Sequence, residues 1–464
     1  MITIKNYNFD YYKYLSIMSV ILLSGILLKV FDKRPYVLTE TALLVFGLLF
    51  AFMFLANPNY KFSKISKIFL FYLVYLFVYN LSLVFLRVLE VDISFYDILF
   101  FSIQEFRLST LSYYLPLLFI PLTVIEHDKI MKLFILLSKI VISYTIFEQV
   151  VSMLGFRTFF ETIYFNSGVV TSNLVGVKSF GIYRIWGLVG SPQLLGVLHL
   201  ITLAILLHSK EKNWAILSVI CVFLSTSKTA IAILILLFFL YLLVKRRYFL
   251  IIILGFLLFL IGYGLYELNE YLLHKMINDY VYVQKIVGSV QGYFLLLNNM
   301  LDSRIGFYNR SNAVYEIPTG PLMRVYEYFS NNPLEIFFGK GITYSFLHGN
   351  QLLYTPFGQP DISDDFQFYM GLSSDYYILT FFEQYGIIGT LYLLIIYLIY
   401  PLILLFRKHN FLLYIPITFF LATLHYPPQI SKIIMIFVAL SIWHIYLKED
   451  NSAKKIKPNQ VPMS

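Results

Sequence analysis

"SSDYYILTFFEQYGIIG" (373–389) runs straight into "TLYLLIIYLIYPLILLF" (390–406) with no further charge before Arg407. Everything after Gly386 is apolar for about 20 residues, the length that crosses a hydrocarbon core. Its head carries two acids, Asp375 and Glu383, eight residues apart. On a helix that spacing puts both on roughly one side, about 12 Å apart along the axis at 1.5 Å per residue. The segment therefore reads as a membrane span with an acidic outer lip.

The rest of the chain agrees. It has 464 residues, of which 59% are hydrophobic, 19% aromatic and only 13% charged. A soluble chain carries about 25% charge, so the expected class is an all-α polytopic membrane protein. The net charge of +9 is spread over short loops and gives no nucleic-acid signal. The single Cys221 excludes an internal disulfide. The first apolar run has no small-residue cleavage site after it and reads as a retained helix.

About twelve spans are expected, at 13–31, 38–56, 65–88, 108–126, 129–154, 188–208, 212–226, 228–245, 248–268, 376–406, 410–425 and 429–447. Lys and Arg crowd "KFSKISK" (61–67), "HDK" (127–129), "SKEK" (209–212), "KRR" (245–247), "RKH" (407–409) and "KKIK" (454–457). The positive-inside rule puts these loops and both termini in the cytoplasm. Segments 155–187 and 269–373 then face outward, as does the lip with Asp375. The expected organisation is a transmembrane bundle of about nine spans over 1–268, a large and partly helical extracytoplasmic loop over 269–373, three further spans over 374–447 and a cytoplasmic tail over 448–464. A loop of about a hundred residues has room for a functional subdomain. Within it, 319–341 reads as a helix with Pro321 near its start and a stop at Asn331, Asn332 and Pro333.

Several cations lie on the outer side, where the rule disfavours them: Arg107, Arg184, Lys228, Arg304 and Arg324. Each alone is compatible with a solvated loop or a side chain reaching to headgroups. Together with the acids they form a constellation suited to a pyrophosphate, since guanidinium groups bind phosphate oxygens in bidentate fashion. Gly187, Gly190 and Pro192 allow an irregular start to the sixth span. Gln193 sits at that start. Ser225, Thr226 and Ser227 bring hydroxyl donors beside Lys228, although such groups in spans more often bond back to their own helix. "DISDD" (361–365) is the one dense acidic cluster, and a solvated turn explains it better than a metal site. The eight histidines are scattered, and no Ser-His-Asp or Cys-His pattern stands out.

Read in order, "RIWGLVGSPQLLGVLHLI", "FLSTSKTAIAIL", "PLMRVYEYFSNNPLEIFFGKGI" and "SSDYYILTFFEQYGIIGTL" resemble the O-antigen polymerase and ligase superfamily. The likeness covers roughly 180–245 and 304–395; the first five spans match in hydropathy only. Two departures stand out. Asp375 occupies the place of the ligase His, and Lys228 stands where many members have Arg. The missing His points to a polymerase rather than a ligase.

The resemblance implies a GT-C-like architecture in a bacterial cytoplasmic (inner) membrane, and a repeat-unit polymerase acting on its outer face. Its donor and acceptor would be oligosaccharides on undecaprenyl pyrophosphate, with a chain-length regulator as a possible partner. An acceptor hydroxyl would attack the donor's anomeric carbon with inversion, without metal or cofactor. Arg184 and Arg324 would stabilise the leaving pyrophosphate, helped by Lys228 and Arg304. Asp375 would be the general base, with Glu383 in reserve. Ser227, Gln193, Tyr328 and Tyr376 would line the substrate, and Tyr326 and Tyr344 could also stack on sugar faces. The rivals are a ligase and a polysaccharide flippase. A flippase should hold its cations in a central cavity, whereas here they gather at one lip.

Overall fold

The computed structural model describes residues 2–4, 7–9, 11–31, 33–55, 67–78, 110–124, 127–166, 178–179, 182–274, 305–310, 313–318, 322–323, 326, 330, 333, 335–339, 347–348, 351–352, 377–428 and 431–447. Within them the chain is overwhelmingly helical. Helices α1 (Tyr11–Leu23) and α2 (Gly25–Phe31) meet at a 66° bend, followed by α3 (Lys33–Leu55) and α4 (Lys67–Val78). A 3₁₀ segment, Leu111–Val124, precedes α5 (His127–Val151), a π turn at Ser152–Phe156 and α6 (Arg157–Asn166). Then come α7 (Pro192–His208), α8 (Lys212–Leu224), α9 (Lys228–Val244) and α10 (Tyr248–His274). The one-turn α11 (Glu335–Phe338) precedes α12 (Tyr377–Leu394), α13 (Tyr400–Lys408), α14 (Tyr414–Thr423) and α15 (Lys432–Ile442). Four short antiparallel hairpins decorate the bundle; the longest pairs Ile305–Arg310 with Ala313–Pro318, in register Ile305 to Pro318.

Two helices are central. In α7, Leu, Ile and Val occupy every side of the helix, so it buries all round; it packs on α5, α8, α9, α14 and α15. All residues of α15 from Lys432 to Ile442 are buried. Polar seams join α7 to its neighbours. Thr145 and the His199 ring meet at 3.0 Å, and Ser218 donates to the His199 carbonyl at 2.7 Å. Such bonds between helices replace the hydrophobic drive that hydrocarbon cannot supply. On the outside, α10 exposes Phe249, Ile252, Phe256 and Phe259, a contiguous apolar face of the kind a bilayer solvates.

Among the described residues, two helices are long and apolar enough to cross a membrane, Asp128–Asn166 and Gln384–Lys408, or three if α1 and α2 count as one bent span. The shorter apolar helices have 10–17 residues. At 1.5 Å per residue those are about 15–25 Å long, short of a core about 30 Å thick. Described helix falls within each of the twelve expected segments, but length and composition qualify two or three of them as spans. The fifth segment differs from expectation: helix continues past residue 154 to Asn166, broken only at Gly155 (φ 97°).

Candidate functional site

The Arg184 strip is held from beneath by a buried ion pair. Glu148 near the end of α5 and Arg157 at the start of α6 face each other across the π turn, Arg157 Nη1 donating to Glu148 Oε1 at 3.0 Å. The Glu148 carboxylate also accepts from the Tyr164 hydroxyl (2.5 Å) and from the backbone N–H groups of Trp186 (3.3 Å) and Gly187 (2.9 Å). Arg157 Nη2 donates to the carbonyl of Arg184 itself at 3.0 Å. Its guanidinium lies 5.5 Å from the Tyr183 ring. A buried carboxylate survives only when paired and saturated with donors, and here two of the four donors are the backbone N–H groups of residues 186–187.

The turn that follows is built for close approach. Gly187 has φ +58°, and a Cβ there would sit 2.5 Å from a Leu195 methyl. Gly190 takes the left-handed region at φ 71°, and Pro192 opens α7. One turn on, a Cβ on Gly196 would meet the Ala230 Cβ at 2.4 Å and Ser227 Cβ at 3.1 Å. The start of α7 thus lies against the start of α9, and the Arg184 and Lys228 segments share one end of the bundle.

A third cation joins them. Lys432 opens α15, is buried, and donates from Nζ to Ser112 Oγ at 2.7 Å. The turn just before it carries Tyr426, whose phenol interacts electrostatically with Arg184. Beside Ser112, Thr110 and the Tyr385 hydroxyl of α12 meet at 3.0 Å. Arg184 is half-buried, with its Nε enclosed and lacking a hydrogen-bond partner among the described residues. Burial lowers its pKa and the Tyr426 phenol acts the other way; guanidinium remains charged regardless.

Three helices, α7, α9 and α15, start at this end. Helix N-termini carry partial positive charge; Lys228 and Lys432 are the first residues of α9 and α15, and Arg184 lies eight residues ahead of Pro192 in the segment that leads into α7. The chemistry this suits is anion binding.

The segment of α11 reaches the same end through α12. Gly386 interrupts α12 with φ 63° and ψ −163°. A Cβ on it would lie 2.4 Å from the Phe337 carbonyl oxygen, and one on Gly339 (φ +75°) would lie 2.3 Å from the Gln384 carbonyl oxygen. Backbone is seated on backbone, so α11 docks on the kink of α12, directly after Tyr385.

Of the residues singled out in sequence, Arg184, Lys228, Ser227 and Gln193 come together at this end. Ser227 is buried and caps α9, its Oγ accepting from the Ala230 N–H at 3.2 Å. The Gln193 side chain accepts from Ser191 Oγ at 3.0 Å. Lys228 is exposed. Glu383 lies in α12 three residues before the kink, and Tyr326 is exposed. Asp375, Tyr376, Arg304, Arg324, Tyr328, Tyr344, Arg107 and "DISDD" lie outside the described residues. Among the described residues, no three His, Cys, Asp or Glu side chains gather as metal ligands would.

Sequence reading missed Glu148, Arg157 and Lys432. Glu148 had a signal, an acid inside the apolar run "YTIFEQVV" (144–151), where an ionisable group marks a partner or a site. Lys432 had another, since "SKII" (431–434) repeats the Ser-Lys helix start of "SKTA" (227–230). No family model, curated protein or solved structure matches the chain.

Proposed function

We propose that the chain is a polysaccharide repeat-unit polymerase of O-antigen or capsule type, a glycosyltransferase of about twelve spans in a bacterial inner membrane. The observation that carries this reading is that the Arg184 segment and the helix starts at Lys228 and Lys432 lie at one end of the bundle. Such a field is matched to a lipid-linked pyrophosphate, the leaving group of the proposed reaction. The sequence likeness supplies the rest.

In this reading an acceptor-sugar hydroxyl attacks the anomeric carbon of the donor oligosaccharide. The new C–O bond forms as the bond from that carbon to the pyrophosphate oxygen breaks, and the linkage inverts. Undecaprenyl pyrophosphate leaves with the electron pair. The hydroxyl proton passes to Asp375. Arg184 and Arg324 take up the charge developing on the pyrophosphate, the kind of preorganised electrostatic help that is worth several kcal/mol. Lys228, Arg304 and Lys432 add to the field. The Glu148–Arg157 pair holds the Arg184 backbone in place.

The test uses purified full-length protein with lipid-linked repeat units in EDTA. Wild type should lengthen the units into a ladder, and Asp375→Asn at matched protein level should give none. If wild type moves a preformed chain whole onto another acceptor without lengthening it, the protein is a ligase. A normal ladder from Asp375→Asn removes the base assignment. Loss of the wild-type ladder in EDTA with recovery in Mg²⁺ removes the metal-free mechanism.

A further inference from the structure

At the end of the bundle opposite Arg184, the packing of α7, α9 and α14 leaves a gap. It is a cavity of 330 Å³ lined almost wholly by hydrocarbon, with Leu200, Leu207, Leu237, Phe238, Tyr241 and Tyr414 on its walls. On α7 it runs from Leu200 to Leu207, about 10 Å along the helix axis. Leu207 and Phe238 are partly exposed, so the gap is a groove open to the outside of the bundle. In the membrane-spanning reading proposed above, a groove open on the flank of the bundle meets lipid chains.

The groove ends under a band of cations. Tyr241 stacks on Phe411 at 6.2 Å, and the 245–247 turn begins four residues beyond Tyr241. Phe411 follows Arg407 and Lys408 directly after the two-residue link that ends α13. The His208 side chain at the end of α7 bonds Asn410 of that link. Lys245, Arg246, Arg247, Arg407, Lys408, Lys210 and Lys212 are all exposed here. The one acid in these three loops, Glu211, is engaged with Lys139 at 3.2 Å. A loop bias toward Lys and Arg is ordinary on one face of a membrane protein. An apolar groove that opens at the foot of that bias is not.

We propose that this groove holds one acyl chain of an anionic phospholipid, with the headgroup phosphate bound by the cations of the 245–247 and 407–408 segments. The occupant follows from complementarity at both ends. Hydrocarbon walls accept a chain, and the exposed guanidinium and ammonium groups accept a phosphate. A zwitterionic lipid would fit the walls equally well and gain less from the cations. The site is separate from the Arg184 lip by the length of α7 and does not depend on the reaction proposed there.

The full-length protein, purified in detergent, is mixed with equal amounts of phosphatidylglycerol or phosphatidylcholine and examined by native mass spectrometry. Phosphatidylglycerol should be retained about tenfold better, as two or more surface cations would give. Arg246→Gln with Arg407→Gln, both exposed, should abolish the preference at unchanged melting temperature. Leu207→Trp, which narrows the groove mouth, should lower retention of both lipids. Equal retention of the two lipids by wild type overturns the proposal. So does an unchanged preference in the double variant, or displacement of phosphatidylglycerol by equimolar undecaprenyl phosphate, which would give the groove to the carrier instead.

Discussion

The carboxylate of Glu148 touches four other residues, and two of them are the backbone N–H groups that shape the turn after Arg184. Its partner Arg157 bonds the Arg184 carbonyl. Removing one member of a buried pair leaves the other charged and unpaired, which costs about 3–5 kcal/mol. Arg157→Met should therefore lower the melting temperature strongly and reduce protein level. Glu148→Gln should act in the same direction but less strongly, because Arg157 keeps Glu161 at 3.9 Å and the Arg184 carbonyl as partners. The double variant Glu148→Gln with Arg157→Met leaves no unpaired charge, and it should recover part of the loss, a coupling that a double-mutant cycle reads directly. Strictly additive melting shifts would show that the two side chains act independently. The pair is hidden in the sequence because Glu148 lies within an apolar helix, and Arg157, one more cation of the 155–187 segment, meets it only in the fold.

Gly386 and Gly339 do at the level of elements what the ion pair does for residues. Both have positive φ, and each would drive a Cβ into the other's backbone segment. The φ and ψ of Gly386 fall in a region open essentially to glycine alone. Gly386→Ala should destabilise the protein by about 2 kcal/mol or more, and Gly339→Ala should act similarly, because each unseats α11 from α12. Cleavage in 340–376 by limited proteolysis should rise in both variants, whereas Gly262→Ala, on open α10 surface, should behave as wild type. Wild-type cleavage in Gly386→Ala would mean that α11 does not depend on the kink.

Much of this element layer is legible in sequence. Gly187, Gly190 and Pro192 mark the start of α7, and Ser227 stands at the start of α9. Other parts are not. The segment "LSYYLPLLFIPLTV" (111–124) reads as an ordinary span, yet it forms a 3₁₀ segment. Pro116 and Pro121 each lack the N–H that an α-helix needs, and a hydropathy window is blind to that. The hairpin 305–318 is hidden too, because its short strands lie inside a long loop that reads as partly helical. The candidate site divides the same way. The Arg184 and Lys228 helix starts could be read from glycine, proline and serine spacing, whereas the Lys432–Ser112 contact joins residues 320 apart in sequence and needs the fold.

Across the whole molecule the two ends of the bundle differ in kind. One end gathers the Arg184 segment and the Lys228 and Lys432 helix starts; the other carries exposed Lys and Arg on three successive loops, at 210–212, 245–247 and 407–408. The positive-inside rule assigns the second end to the cytoplasm. The substrate assignment requires this orientation, because a polymerase acting on exported repeat units works on the outer face. Cysteine labelling in intact cells checks it, and the background is low because the single native thiol, Cys221, is buried. Cysteine at Ser209, in the turn after α7, should stay unreacted with an impermeant maleimide until the membrane is permeabilised. Cysteine at Asn312 should label at once. A reversed pattern would turn the bundle over. Arg184 would then face the cytoplasm, and the anion held there would be a cytoplasmic one rather than the leaving group of an outer-face polymerisation.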